Sequence, residues 1–593
     1  PGDEVTDGPR VHGIALERSG DLPASPSALQ AVDVIVFADQ FELTDDQNNL
    51  VRAWVQDGGH LVIATGTAGE SLGRSLLAKW LPFEVIGTMR LRDLSALESF
   101  SGQLERIKTG HVGKTGKFQE FANATRIQAD DAVELVPTLD GPLLSRAAYG
   151  FGRVTFLTLD LNAPPLAKWS FVEQFVLKLI DAPRAETAVT DRADRSQLTH
   201  TGITDLASQL AGSLEHFETV QRLTSWHVMG WLGLYVLLIG PLDYLLVHRL
   251  LKRPALTWVT FPTIVVVASL LAVVSAERVN GSQLMINRLE IVDVDARTDV
   301  LRSSDFSTIY SPQTRRYRLE VEPATSAWSA RDSATREATP LATMEMQWFG
   351  IPETSYGGMY RGGGFELGRR PYYRMLEDGQ GIENLPIAVW STRTIQSRSF
   401  MEPSPLIESN LRSIGNQLSG TFSHSLPVPI SDWILAHGHQ VFWSRSSNPE
   451  RSKIPPHQVW DTASPNVRSR DLTGLLTRSV KSRVKREGGD DPLSLDAGQI
   501  VRMLTFHDAV GGRDYTGLTN AELARLDFTR FLTLNTAVLV GRIDKPAGNL
   551  LLDGKPVQPT RHETFIRILL PVDASGPVRT KLTPRPEDLE VPK

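Results

Sequence analysis

Cysteine is absent from all 593 residues of the sequence. The chain therefore forms no disulfide, offers no thiolate nucleophile and builds no cysteine metal site, which removes several enzyme classes at once. A charge excess is missing too: 62 basic residues against 68 acidic ones leave a formal net charge of −6. A nucleic-acid binder usually shows a basic surplus, so no nucleic-acid partner is expected. The first residue is Pro1 rather than Met and no signal peptide follows it, so the natural start is expected to lie upstream. Long apolar runs are missing from most of the chain. With hydrophobic residues at 41% and charged residues at 22%, the bulk of it has an ordinary globular composition, and its length calls for several domains.

The exception lies near the middle. Val228 to Val247 and Leu256 to Ser275 are two mostly apolar runs, each about 20 residues and long enough as a helix to cross roughly 30 Å of hydrocarbon. They predict a transmembrane hairpin over 226–276 and the lipid bilayer as a partner. Arg249, Lys252 and Arg253 make the connecting turn basic, and the positive-inside rule places such a turn in the cytoplasm. Both large flanking segments then face outward, which predicts a multi-pass membrane protein with extracytoplasmic domains. Asp243 is the one acid in either run. It lies close to the basic turn, and an intramembrane acid serves either anchoring or transport.

Residues 1–183 read as an α/β domain. Val32 to Ala38 is a short β-branched run of the buried-strand kind. Thr44 with Gln47 forms a capping-box pattern, Leu50, Val51, Trp54 and Val55 an apolar helical stripe, and Gly58-Gly59 a stop. His60 to Thr65 is the next strand, completing a βαβ unit. Val154 to Leu159 adds a strand, and Trp169 to Ile180 a helix burying Phe171, Phe175, Val176 and Leu179. The expected fold is a three-layer α/β domain on a parallel sheet, with ligands binding where such strands end: Asp39, Gln40, Gly66 and Thr67. Gly113-Lys114-Thr115 lacks the glycine that a phosphate loop needs, since Lys108 stands in its place. The acid pairs Asp45-Asp46 and Asp130-Asp131 suit a helix start and a polar loop.

The stretches VDVIVFADQFELTDDQNNLVRAWVQDGGHLVIATG and YGFGRVTFLTLDLN resemble the class I glutamine-amidotransferase-like domains of large bacterial membrane proteins, with a flavodoxin-like fold. Catalytic members carry a nucleophilic Cys on the turn that corresponds to Gly66-Thr67-Ala68-Gly69. With no thiol present, the resemblance implies a catalytically inactive domain, Thr67 as a substitute nucleophile being the alternative.

The polar stretch 184–225 reads as a linker followed by an amphipathic juxtamembrane helix on Leu206, Leu210, Leu214 and Phe217, expected to pack on the α/β domain or a second subunit. Residues 277–593 change to period two. Leu289 to Val294, Arg316 to Glu322, Met344 to Trp348, Ile387 to Trp390, Val441 to Trp443, Leu534 to Val540 and Phe565 to Leu570 predict strands of a β-sandwich-like domain. The polar stretch at about 444–499 is expected to be a mobile insertion. Tyr356, Tyr360, Arg361, Phe365, Arg369, Arg370, Tyr372 and Tyr373 interleave aromatic and guanidinium groups in a glycine-rich loop. They are either partner-binding residues or a solvated loop over the sandwich. His437 and His439 are spaced for one face of a strand, yet no further ligand at a recognisable spacing joins them, so neither a metal nor a cofactor is expected.

The order of parts, with GPLDYLLVHRLLKRPALTWVTFP, INRLEIVDVDA and LPIAVWSTRT, resembles a family of bacterial membrane proteins often encoded near MoxR-type ATPases and von Willebrand factor A proteins. The resemblance implies a non-enzymatic envelope scaffold with such partners. Relatives of the α/β domain in ABC-transporter auxiliaries imply an accessory transporter subunit as the alternative, and a hydrolase with a non-cysteine nucleophile is a third.

Overall fold

A computed structural model of the protein describes residues 11–16, 18–23, 26–103, 105–109, 111–112, 118–119, 121–129, 131–182, 203–218, 220, 225–250, 252–323, 343–349, 373–376, 379–401, 407–415, 417–477 and 490–574. The chain is multi-domain, with mixed α/β structure first, a large β-rich region last, and two apolar helices between them.

The first region begins with β1 (Val34–Phe37), α1 (Asp45–Asp57) and β2 (His60–Ala64). The capping box forms as expected: the Thr44 hydroxyl accepts the Gln47 N–H, and the Gln47 side chain accepts the Thr44 N–H. Gly58 ends the helix at φ 134°, where a side chain would be strained. β1 and β2 pair in parallel, Val34 opposite His60. The sheet continues with β3 (Val133–Val136), β4 (Leu144–Tyr149) and β5 (Gly152–Leu157), in the order β1-β2-β5-β4-β3. β1, β2 and β5 pair in parallel, whereas β4 is antiparallel to both of its neighbours, β5 and β3, and so runs against the other four strands. The sheet is thus mixed rather than parallel throughout. Gly150-Phe151 closes a tight hairpin, and a hairpin makes its two strands antiparallel neighbours. Leu61, Ile63, Val154 and Phe156 pack with α1 on one face. Val62, Ala64 and Leu157 pack on the other with Phe175 and Leu179 of α2 (Val172–Leu179).

The helix α3 (Leu206–Leu214) packs on the C-terminal region rather than on the α/β domain. Asp205 caps it, and its Oδ2 also accepts the Thr519 hydroxyl and the Ala521 N–H, each at 2.8 Å. Each large apolar side chain buried there contributes roughly 1.5–3 kcal/mol, so the helix is tied to that core.

The membrane-length helices are Met229–Leu250 and Thr257–Ser275, with mean hydropathies of 1.6 and 2.1; only 11% and 0% of their most apolar stretches are buried. The first starts as α4 (Ser225–Leu237) and loosens into π-helical turns at Leu238–Leu242 and Leu245–Leu250. Pro241, without an N–H, accounts for the first of these turns. The second lies within α5 (Thr257–Asn280).

Beyond it run β6 (Met285–Asp295), β7 (Val300–Ser311), β8 (Arg315–Pro323), β9 (Thr343–Trp348), β10 (Gly381–Ile387), β11 (Ser391–Met401), β12 (Ile407–Ile414), β13 (Gln417–His424), β14 (Ser431–His437), β15 (Gln440–Ser444) and β16 (Val467–Asp471). After α6 (Ala497–Thr505) come β17 (Thr536–Ile543), β18 (Gly548–Leu552) and β19 (Arg561–Ala574). The large sheet is ordered β9-β11-β7-β6-β19-β17-β14-β15-β16, with β12 and β13 attached at the end of β19. A second sheet centres on β10, β8 and β18. Ile286, Ile309 and Ile395 of the first sheet pack on Tyr317, Leu319 and Ile382 of the second, so two sheets face each other across one core. Elsewhere α3 and α6 cover Leu289, Ile291, Val538 and Leu569.

Two expectations change here. Ala388–Trp390 is a turn rather than part of a strand, Trp390 taking φ 55°. Residues 444–477 are not loose: Ile454, Trp460, Leu472 and Leu476 are buried, and residues 478–489 lie outside the described residues. Scattered apolar anchors among polar residues hold this stretch in place.

Candidate functional site

The parallel strands β1, β2 and β5 end on one edge of the α/β sheet, where ligands bind in open α/β sheets. Asp39 and Gln40 are exposed beyond β1, and Gly66 is buried beyond β2 with Thr67 exposed beside it. Gly66 takes φ +54°, and a Cβ there would lie 2.5 Å from Asp160 Cβ, so glycine permits the turn after β2 and the loop after β5 to touch. The Thr125 hydroxyl donates to the Gly66 carbonyl at 2.9 Å. Among the described residues, no hydrogen bond or ion pair involves the Thr67 side chain. His60 stands at the far end of the same strand, more than about 10 Å away at 3.3 Å per residue.

A ligand-sized cleft lies near this edge but does not include those four residues. Its volume is ≈ 630 Å³, within the range of small-molecule sites, and Leu72, Leu81, Phe83, Val85, Glu84 and Asp131 are among its lining. Its lining mixes apolar side chains with two acids, Glu84 and Asp131. Asp131 also pairs with Arg297 of the C-terminal region at 3.4 Å.

At the opposite edge the α/β domain docks on the large sheet. Gly150 and Gly152 flank Phe151 at the tip of the β4–β5 hairpin. A Cβ on Gly152 would lie 2.1 Å from the Val55 carbonyl oxygen, so only glycine lets the hairpin lie against α1. Phe151 is thereby pushed into the C-terminal core. It stacks on Phe528 at 6.2 Å and 9°, and the Arg302 guanidinium covers its ring at 4.4 Å. Arg302 donates to the Asp57 carbonyl at 2.7 Å, and Arg530 to the Phe151 carbonyl at 2.9 Å. Both of these contacts cross the seam.

Behind the seam, Asp293 on β6 binds two buried arginines from the neighbouring strands. Arg302 reaches its Oδ2 at 2.7 Å, and Arg567 reaches Oδ1 at 2.6 Å and Oδ2 at 2.8 Å. Both are direct cross-strand partners of Asp293. On the sheet's other face, Arg288 joins Glu290 and Asp305 at 2.5 Å each, with His562 3.2 Å from Glu290. A cavity of ≈ 10 Å³ beside them holds about one water and no substrate. Burial raises the Asp305 carboxyl, whereas Arg288 and His562 overcome burial and lower that of Glu290. Burial, reinforced by Arg153, Arg146 and Arg530, holds the His60 imidazole well below its ordinary range.

A third group gathers beyond α6. His507, Asp508 and Asp527 offer ligand atoms that all lie within 4.8 Å of one another. Burial and then the Asp508 charge push the Asp527 carboxyl up to about 6. Burial lowers His507, but Asp508 and the Leu518 carbonyl outweigh it and raise the imidazole. Spacings of one and nineteen residues match no metal motif, and only the fold brings this group together.

Of the other predicted residues, Tyr356, Tyr360, Arg361, Phe365, Arg369, Arg370 and Tyr372 lie outside the described residues, as do Gly113-Lys114-Thr115 and Asp130. Tyr373 is exposed, edge-on to Trp348 at 6.2 Å. His437 is buried with Nδ1 3.1 Å from the Thr536 carbonyl, while His439 is exposed, so the two do not share one face. Asp45 and Asp46 occupy the first turn of α1. Arg249, in the last turn of the first apolar helix, and Lys252 and Arg253, in the turn that follows, are exposed; Asp243 is 5% exposed, and its Oδ1 has no hydrogen-bond partner among the described residues.

Comparisons with known proteins add little to this geometry. No protein-family model and no curated protein matches the chain. A cytoplasmic protein of Salmonella typhimurium is similar over 27% of this chain and 75% of its own, at 17% identity and a TM-score of 0.21. The mu-homology domain of yeast delta-COP-I is similar over 49% of this chain and 97% of its own, at 7% identity and a TM-score of 0.20. An exo-β-1,4-mannosidase from Opitutaceae bacterium strain TAV5 is similar over 27% of this chain and 26% of its own, at 20% identity and a TM-score of 0.17. Likenesses at such scores carry no inference about function.

Proposed function

We propose that the protein is a membrane-anchored scaffold of the bacterial envelope. Its hairpin spans the inner membrane twice, its two large regions face outward, and its catalytically inactive amidotransferase-like domain binds a ligand or partner. The observation that carries this reading is the exposure of the two apolar helices. Trp226 and Trp258 are 76% and 87% exposed, an arrangement costly in water and suited to lipid with its aromatic interfacial belts. The exposed basic turn supports this orientation by the positive-inside rule. Thr67, exposed and without a hydrogen-bonded base among the described residues, supports a binding role for the domain over hydrolysis by a threonine nucleophile. The docked seam supports a scaffold that presents both regions together. The partners expected from the family resemblance are assemblies containing a MoxR-type ATPase or von Willebrand factor A proteins.

A second reading, an accessory subunit of an ABC-type envelope transporter, is favoured by Asp243. A carboxylate oxygen buried without a partner among the described residues, at a π-helical break, supports a functional role for this position in a membrane helix. Copurification of a permease or ATPase, lost in Asp243→Leu, favours this reading.

The deciding experiment is protease cleavage of tags placed before Ile203 and after Lys593, in spheroplasts and in inverted vesicles. Cleavage of both tags in spheroplasts alone is the expected result. Cleavage only in inverted vesicles overturns the orientation, and release of the intact protein by carbonate overturns the anchor.

A further inference from the structure

The group beyond α6 brings three possible metal donors, His507, Asp508 and Asp527, within 4.8 Å of one another. α6 buries Ile500, Val501, Met503 and Leu504, which fixes the start of the turn carrying His507 and Asp508. Asp527 closes another short turn and is itself buried. His507 Nε2 lies 3.1 Å from the Leu518 carbonyl oxygen. A carbonyl only accepts, so Nε2 carries the hydrogen, and in the neutral ring Nδ1 holds a lone pair. That lone pair faces Asp508 Oδ1 at 3.3 Å. Two electron-rich atoms this close need a positive charge between them, either the proton of an imidazolium or a metal ion.

The spacing suits a metal. Two donors each about 2.0–2.1 Å from one tetrahedral ion stand roughly 3.3 Å apart. The surroundings also suit one. Asp527 Oδ2 accepts the Asp508 N–H at 3.0 Å and Oδ1 accepts the Thr529 N–H at 2.8 Å, leaving each oxygen a further lone pair. A backbone carbonyl on the second imidazole nitrogen is the usual outer partner of a metal-ligating histidine. We propose that His507 Nδ1 and the carboxylates of Asp508 and Asp527 bind a divalent transition-metal ion. One nitrogen and two oxygen donors fit Zn²⁺ better than Mg²⁺, which favours oxygen alone. Asp508, with its side chain 77% exposed, leaves the ion open to water. The ion ties the turn after α6 to the loop whose Arg530 crosses the domain seam.

The test uses the full chain in detergent, stripped with a chelator and titrated with Zn²⁺ against a chromophoric competitor, with bound metal counted by mass spectrometry. One equivalent is expected. Asp508→Asn and His507→Gln each remove that equivalent or weaken it by at least about tenfold, the lower end of what even outer-partner losses cause. The Asp508 side chain lies in solvent, so Asp508→Asn melts like the wild type in chelator and its loss of metal reports ligation rather than folding. A stripped chain that takes up no Zn²⁺, or variants that keep wild-type stoichiometry and affinity, overturns the proposal and leaves a protonated imidazole beside a carboxylate.

Discussion

Replacing Asp293 by Asn tests whether the centre of the large sheet is dry. The wild-type carboxylate is the anion shared by Arg302 and Arg567, which rank among the largest fully buried side chains. Asp57 is the other acid near Arg302, at 3.8 Å and half-exposed. Asparagine keeps the shape and removes the charge, leaving two buried guanidinium groups without their counter-ion. Breaking one buried ion pair costs about 3–5 kcal/mol, and two pairs meet here, so the loss is expected at or above the upper end of that range. Domain stability is itself only about 5–15 kcal/mol. The exposed pair Arg74–Glu70, at 3.6 Å on the surface, is the comparator. Its Glu70→Gln variant is expected to change stability by less than about 1 kcal/mol. Urea unfolding in detergent, followed by tryptophan fluorescence at neutral pH, measures both. A loss below about 1 kcal/mol for Asp293→Asn refutes the reasoning, because it means that water reaches the arginines.

Further outcomes follow from other contacts. Phe151→Ala is expected to cost about 3–5 kcal/mol and to loosen the seam, read as faster limited proteolysis between the α/β and C-terminal regions; unchanged cleavage argues against docking through this ring. Gly152→Ala places a carbon where the Val55 carbonyl stands, so destabilisation of at least about 1–3 kcal/mol is expected, measured as a lower urea midpoint. His60 is held below its ordinary range by burial and then by Arg153, Arg146 and Arg530, so the unfolded chain takes up its proton first. This contribution is full well above pH 6.5 and falls by up to about 1.4 kcal/mol per pH unit as the pH drops through about 6.5. His60→Gln should flatten that slope between pH 7.5 and 5.5, and equal slopes would show that His60 is not the group responsible. Thr44→Ala removes the cap of α1 and is expected to cost about 1 kcal/mol, seen as a matching shift in the denaturation midpoint.

The sequence by itself determined the elements whose signal is local. The Thr44–Gln47 box, the stripe Leu50, Val51, Trp54 and Val55, and the run His60 to Thr65 each encode their structure within a few residues, and the structure places α1 and β2 there. The two apolar runs are equally plain, since length and hydropathy are properties of the chain alone. Tertiary structure decided the rest. β7, with the sequence VLRSSDFSTIYS, is buried along its whole length, yet no apolar alternation marks it. Its Arg302 and Asp305 are stabilised by partners on other strands that no local pattern reveals. Phe151 reads as one aromatic residue between two glycines; that it anchors a domain follows from hairpin geometry and from Phe528, far away in the chain. His507, Asp508 and Asp527 gather for the same reason. Periodicity reports which face of an element is apolar, whereas a buried charge or a ligand set is fixed only when distant strands and turns meet in space.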